Sequence, residues 1–322
     1  MRATERRIYH FDMEVKRRGH TTHLPPLNDL LAVWKERSDA STAFQVRSSG
    51  DLRFNIEQVD FYDDNIACLL VSVSDRNSPD AVYQDFTTQE TTVYPKEATQ
   101  GGMVSSHIVV STLPSKVDTY FCAIEQASKL NSTNIELLLN RILHDEYDAN
   151  ESRFSYANVA GRKDRAGNIQ RHNFLPRVEL KGHLSNELIE SLENGRLSSI
   201  VLVNDEEKAD FGDNPFLVES ERHLIIKAKA DLPRGGRLNS IVDAVRRRSE
   251  GYEKARIRFT APDGRPQSIE FNASDGSIID SRFVKNELLG GIAPPLADAS
   301  STIVIRLLRP MMTIVRGVRE GA

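Results

Sequence analysis

The run "VNDEEK" has the residue types that metal-dependent hydrolysis requires. Asp205, Glu206, Glu207 and Lys208 directly follow an apolar stretch that is typical of a strand. Nucleases of the PD-(D/E)xK class use carboxylates at a strand end to hold Mg²⁺ and a lysine to orient water. Adjacent strand residues point to opposite faces, however, and no partner acid precedes the run. We therefore expect a solvated turn, and a metal-dependent nuclease remains an alternative.

Other catalytic patterns are missing from the sequence. There is no Walker-type phosphate loop and no G-x-S-x-G motif, and the eight histidines are scattered. His20 and His23 are three residues apart without a third ligand nearby, and His107, at the start of "HIVVST", is expected to be a core or strand-edge histidine. We predict no catalytic residues, no metal ion and no cofactor.

The cysteines and the hydropathy pattern indicate the cellular compartment. Cys68 and Cys122 each lie within an apolar run, which predicts buried, reduced thiols. No apolar run approaches the roughly 20 residues of a membrane helix, and the charged N-terminus has no continuous apolar signal region. We expect a cytoplasmic protein without membrane insertion.

Charge is segregated along the 322 residues, although the totals of 42 Lys+Arg and 46 Asp+Glu nearly balance. Residues 51–100 contain ten acids and three bases, whereas residues 222–258 contain eleven bases and four acids. The segment 161–181 has six bases and two acids. Such asymmetry predicts a polyanionic partner for the basic segments.

The basic segments have a pattern that suits phosphate binding. Lys227 and Lys229 alternate with apolar residues on one predicted strand, and Arg256 and Arg258 repeat this alternation on another. The loop 234–237, "RGGR", precedes a helix, whose N-terminus favours anions. Contacts of this kind supply salt-dependent nucleic-acid affinity without sequence specificity. Ordinary surface solvation explains the same residues, and both interpretations remain open.

The triplet "RRR" at 246–248 has a simpler explanation. Cations in the last turn of a helix complement its macrodipole by roughly 0.3–1 kcal/mol. Successive helix residues also point about 100° apart, so the three side chains cannot all reach one DNA backbone. We predict that the three arginines flank the DNA-binding surface. The predicted DNA-binding residues are Lys227, Lys229, Arg234, Arg237, Arg246, Arg247, Arg248, Arg256, Arg258, Arg162, Lys163 and Arg165.

The hydrophobic pattern predicts an α+β protein of two domains, each a mainly antiparallel sheet with packed helices. We place an acidic domain at 1–160, a basic domain at 161–300, and a C-terminal segment at 301–322 that packs back on the first domain. The pattern predicts two helices between Pro114 and Tyr147, a polar linker or mobile loop at 150–173, and a strand at "STIVIRLL".

The block order from about 45 to 285 resembles that of the RexA phage-exclusion proteins of temperate phages. The similarity lies in "LRFNIEQVDFYDDNIACLLVSVSDRNSPDAVY", in the lysine-rich "LIIKAKA" and in "IRFTAPDGRPQSIEFNASDGSIID". The resemblance implies a homodimer that binds double-stranded DNA without sequence specificity, with Lys227 and Lys229 as phosphate contacts. It also implies a closed state that opens to admit DNA. We further expect a protein partner encoded nearby, and keep a protein-interaction module without nucleic acid as an alternative.

Overall fold

A computed structural model gives the fold. It describes residues 3–18, 24–63, 65–158, 161–163, 165, 167–204, 222–227, 237–248, 252–273 and 283–320. Contacts group the chain into two compact units, Met1–Leu180 with Glu287–Ala322, and Lys181–Asn286. By these contacts the C-terminal segment belongs to the first unit.

Strands outnumber helices along the described part of the chain. The first part has β1 Arg6–Arg18, α1 Leu27–Asp39, β2 Phe44–Arg47, β3 Leu52–Tyr62, β4 Ile66–Asp75, β5 Ala81–Gln84, β6 Thr91–Tyr94, β7 Gly102–Ser111, β8 Thr119–Glu125, α2 Ser132–Ala149, β9 Ser155–Ala157 and β10 Arg171–Asn173. The second part has β11 Leu175–Gly182, α3 Asn186–Asn194, β12 Arg196–Asn204, β13 Arg222–Ile226, α4 Arg237–Arg246, β14 Lys254–Thr260, β15 Pro266–Asn272, β16 Asn286–Leu289 and α5 Ile305–Glu320.

An eight-stranded sheet forms the centre of the first unit. Its order is β11-β1-β8-β7-β4-β3-β2, and β16 also pairs with β1. Strand β4 is buried on both faces: Cys68 and Leu70 pack in a cluster with Met311 of α5, while Leu69 and Val71 face the opposite side. Helices α1 and α2 cover that side, where α1 packs on β3 and on α2. The central strand is therefore continuously apolar because both faces of its sheet are covered.

The second unit has a four-stranded antiparallel sheet of order β13-β12-β14-β15 and two helices, α3 and α4, which contact each other. Helix α3 is capped by Ser185, whose Oγ accepts a hydrogen bond from the Leu188 amide at 3.3 Å. Leu188 of α3 and Ile241 of α4 are buried, as are Ile257 and Phe259 of β14. Together the two sheets confirm the predicted α+β class with mainly antiparallel strands.

The predicted C-terminal strand is wrong. "STIVIRLL" leads into α5, in which Leu307, Leu308, Met311 and Val315 recur at helical spacing and are buried. The β-branched residues at the start of the stretch and Pro310 within the helix suggested a strand. The apolar period over the following two turns determines the helix.

The prediction of two helices between 114 and 147 is also wrong. Residues Thr119–Glu125 form β8, every residue of which is buried, because a continuous apolar run fits a central strand. One helix, α2, follows, and its N-cap is Asn131. The Asn131 Oδ1 accepts a hydrogen bond from the Asn134 amide at 2.8 Å.

Two small ribbons extend the first unit. Strands β5 and β6 form a hairpin whose residues are all exposed, and Phe86 in its turn is 96% exposed. Strands β9 and β10 pair within the segment predicted as a loop. Among the residues that the structure describes, no helix combines the length and apolar character needed to cross a membrane.

Candidate nucleic-acid interface

Strand β14 places Arg256 and Arg258 on the same face of its sheet. The intervening Ala255, Ile257 and Phe259 are buried on one face, so the two arginines point to the opposite face. The predicted alternation is therefore present in the structure. Arg258 is exposed, and its neighbour across the ladder is Ser268.

A carboxylate neutralises Arg256. Its register partner on β15 is Glu270, which accepts from Arg256 Nε at 2.8 Å and from Nη2 at 2.6 Å. Side chains of opposite charge that lie directly across from each other on two antiparallel strands stabilise the sheet. Sequence reasoning missed Glu270, although the hairpin turn "PDGRP" fixes the register and places position 270 opposite position 256. The two arginines therefore differ in the charge that they offer to a ligand.

The predicted lysine strand is only partly described. Strand β13 ends at Ile226, paired with Ile200, and Lys227 follows as an exposed residue beyond the last ladder pair. Lys229 and Arg234 lie outside the described residues. Helix α4 begins at Arg237 and ends at Arg246, and the side chains of both also lie outside the described part of the chain.

The position of Arg247 and Arg248 at the end of helix α4 accounts for two of the three consecutive arginines. Arg247 and Arg248 are exposed, and the Arg247 Nε donates to the carbonyl of Asp243 at 3.2 Å. The Arg248 amide donates to the carbonyl of Val245 at 2.9 Å. Cationic groups on the last carbonyls of a helix stabilise that terminus. Arg247 therefore has a structural function in addition to any phosphate contact.

Three predicted residues lie in the first unit, on the ribbon that contains β9 and β10. Arg162, Lys163 and Arg165 are exposed, and the backbone of Lys163 forms an isolated antiparallel β-bridge with Ile169. The Arg162 carbonyl also accepts a hydrogen bond from the Gln170 amide at 2.8 Å, so part of the segment that was predicted as a linker or mobile loop is paired. A polar ribbon that is solvated on both faces has no apolar alternation to reveal it.

The described bases differ in whether they form an ion pair with a described acid. Among the residues that the structure describes, eight lysines and arginines of the first unit form ion pairs with acids. They are Arg6, Lys16, Lys35, Arg37, Lys129, Arg141, Arg153 and Arg316. By contrast, seven predicted DNA-binding residues are exposed and form no ion pair with a described acid. They are Arg162, Lys163, Arg165, Lys227, Arg247, Arg248 and Arg258.

A buried cluster of titratable residues serves the fold. His107 is buried, its Nδ1 lies 2.7 Å from Glu125 Oε2, and its Nε2 accepts from the Val304 amide at 3.0 Å at the start of α5. Arg6 Nε donates to Glu125 at 2.8 Å. Every partner is within the protein, so this cluster joins β1, β7, β8 and α5. The expectation of a core histidine at 107 is confirmed.

The described part of the chain contains no candidate metal centre. Asp205, Glu206, Glu207, Lys208 and the histidines at 20 and 23 lie outside the described residues. In the described part of the chain, no three His, Cys, Asp or Glu residues are grouped as metal ligands would be. Both cysteines are buried and free, as predicted.

Comparison of the chain with protein-family models, with curated proteins and with solved structures gave no match.

Proposed function

We propose that this protein binds double-stranded DNA through the phosphates, without sequence specificity. The supporting observation is the set of seven exposed predicted cations that form no ion pair with a described acid. Eight other cations of the first unit are offset by carboxylates, and an ion-paired side chain offers a polyanion little net charge. Each unpaired cation that contacts a phosphate releases counterions, which is the main source of non-specific affinity.

The arrangement favours phosphate contacts over base reading. Bidentate contacts from arginine to guanine require a side chain at a base edge. The exposed cations of the second unit instead lie on a strand, beyond a strand end and at a helix end, where they suit a backbone. We therefore infer similar affinity for unrelated sequences.

The biological setting belongs to the same proposal. We propose a homodimer of two-domain chains that acts in the cytoplasm, in phage exclusion or another phage-defence process, with no need of a cofactor. Sedimentation-velocity measurements test the dimer directly: a mass of twice 36.2 kDa is expected, and a single-chain mass at micromolar protein would refute it.

Binding to several unrelated duplexes, measured by fluorescence anisotropy, tests the function. Dissociation constants within about threefold of one another, and no cleavage when Mg²⁺ is added, are the expected results. Cleavage that requires Mg²⁺ would favour the nuclease alternative. An absence of binding at about 50 mM salt, where phosphate contacts are strong, would favour a protein-interaction module.

A further inference from the structure

The described parts of the segment between Phe154 and Phe174 pair as a two-stranded arm, which we call the basic ribbon. Ser155, Tyr156 and Ala157 pair antiparallel with residues 171–173. The ladder continues through the Asn158 amide, which donates to Gln170 O at 2.8 Å, and through the bridge between Lys163 and Ile169. The paired backbone extends beyond the three residues of each named strand.

Aromatic packing fixes the base of the basic ribbon. Phe154 and Phe174 are buried, and their ring centroids lie 6.2 Å apart. Tyr147 of α2 stacks on Phe154 at 6.4 Å, and Tyr156 contacts Phe174 at 6.1 Å. Arg153, just before this cluster, is paired with Glu36 and Glu146. The ribbon is thus held at its root by α1 and α2.

Beyond its root the ribbon is exposed and strongly basic. Arg162, Lys163 and Arg165 are exposed, and so is the apolar Ile169, at 52%. Asp164 is the only acid in the sequence from 155 to 173. The composition favours a polyanion as the partner, since an apolar partner would gain little from a surface of this charge.

The dimensions of the ribbon select one groove of a DNA duplex. A two-stranded ribbon fits the major groove, which is about 12 Å wide, whereas the minor groove, at about 6 Å, is too narrow. From Asn173 to Ile169 the strand rises roughly 13 Å, at about 3.3 Å per residue. This length exceeds the depth of the major groove, roughly 8.5 Å.

We propose that the basic ribbon lies in the major groove of bound DNA, with Arg162, Lys163 and Arg165 on the phosphates that line the groove. This inference rests on the proposed DNA binding and adds the groove to it. Ile169 is then close to the bases. The contacts of the three cations carry no sequence information, in agreement with non-specific binding.

A site-specific photocrosslink tests this placement. The full-length Ile169→Cys variant is labelled with a benzophenone maleimide. The native thiols should not compete for the label, because burial raises the pKa of both Cys68 and Cys122. Phe86→Cys, on the exposed hairpin beside Asp85 and Glu90, is the matched control. Crosslinking to a duplex is then measured with methyl green, which occupies the major groove, or netropsin, which occupies the minor groove.

We expect the label at position 169 to crosslink to DNA, methyl green to abolish the crosslink and netropsin to leave it intact. The label at position 86 should give no crosslink. The triple substitution of Arg162, Lys163 and Arg165 by Gln should reduce the slope of log K against log salt by about 2 to 3.

The outcomes separate this inference from the proposed function. DNA binding without a crosslink at position 169, or a crosslink that netropsin alone removes, would overturn groove insertion and leave phosphate binding standing. A chain that binds no DNA at low salt would overturn both.

Discussion

At the residue scale, the sharpest contrast lies between Arg258 and Arg256. Glu270 already offsets the charge of Arg256, whereas Arg258 is exposed opposite Ser268. We predict that Arg258→Gln weakens DNA binding and lowers the salt slope by about 1, because one phosphate contact is lost. Arg256→Gln should have a smaller effect, and Glu270→Gln should tighten binding by freeing a cation.

Anisotropy titrations at several salt concentrations measure these effects. Arg141→Gln is a suitable control, because Arg141 is exposed but paired with Asp145 within α2. Equal losses for Arg256→Gln and Arg258→Gln would show that the ion pair with Glu270 does not decide which arginine contacts DNA.

A second residue-scale prediction concerns pH. A hydrogen bond from Lys129, together with the backbone amide of Asn77, holds the pKa of the Asp75 carboxyl below its usual value. A pKa that is lower in the folded state than in the unfolded state gives stability that is present above pH 4 or so. This stability is lost as pH falls through the folded-state value.

Lys129→Met should therefore reduce the fall in melting temperature between neutral pH and pH 3. Differential scanning calorimetry measures this fall. Lys116→Met, at an exposed lysine that forms no ion pair with a described acid, is the control. An unchanged pH dependence in Lys129→Met would contradict the assigned cause.

At the element scale, Gly195 joins α3 to β12 where no side chain fits. A Cβ at this position would lie 2.3 Å from Ser191 O and 2.5 Å from Thr260 O, and both are backbone atoms. We predict that Gly195→Ala lowers the free energy of unfolding by about 2 kcal/mol or more, since backbone must move.

Urea denaturation gives this free energy. Gly290→Ala is the control, because a Cβ at that position meets no atom within 4 Å. A loss of less than about 0.5 kcal/mol for Gly195→Ala, a value typical of neutral surface changes, would mean that the junction adjusts freely.

Sequence reasoning predicted the elements in which apolar period and turn chemistry agree. The hairpin of β3 and β4, the capped helix α3 and the hairpin of β14 and β15 are of this kind. It failed at β8 and α5. Strand β8 is apolar on both faces, so alternation gives no signal, and α5 begins with β-branched residues.

The candidate site was predictable in part for the same reason. Residue alternation gave the common face of Arg256 and Arg258, but the pairing with Glu270 depends on strand register. The ladder of the basic ribbon depends on hydrogen bonds that leave no pattern in a polar sequence.

At the scale of the whole molecule, the distribution of charge partners matters more than net charge. The chain has a formal charge of −4, a value that by itself argues against affinity for a polyanion. The acids Asp63 and Asp75 of the acidic segment are paired with Arg316 and Lys129 within the first unit. Because such pairs cancel locally, exposed cations that form no ion pair with a described acid can attract phosphates despite the negative total.

The salt dependence of binding to one duplex of unrelated sequence tests this account most directly. With seven exposed cations that form no ion pair with a described acid, of which some serve helix ends, we predict a slope of log K against log salt between about −3 and −6. A variant in which all seven are replaced by Gln should lose nearly all of this slope. No binding at low salt, or an affinity that does not change with salt, would contradict the proposal that this protein holds DNA by its phosphates.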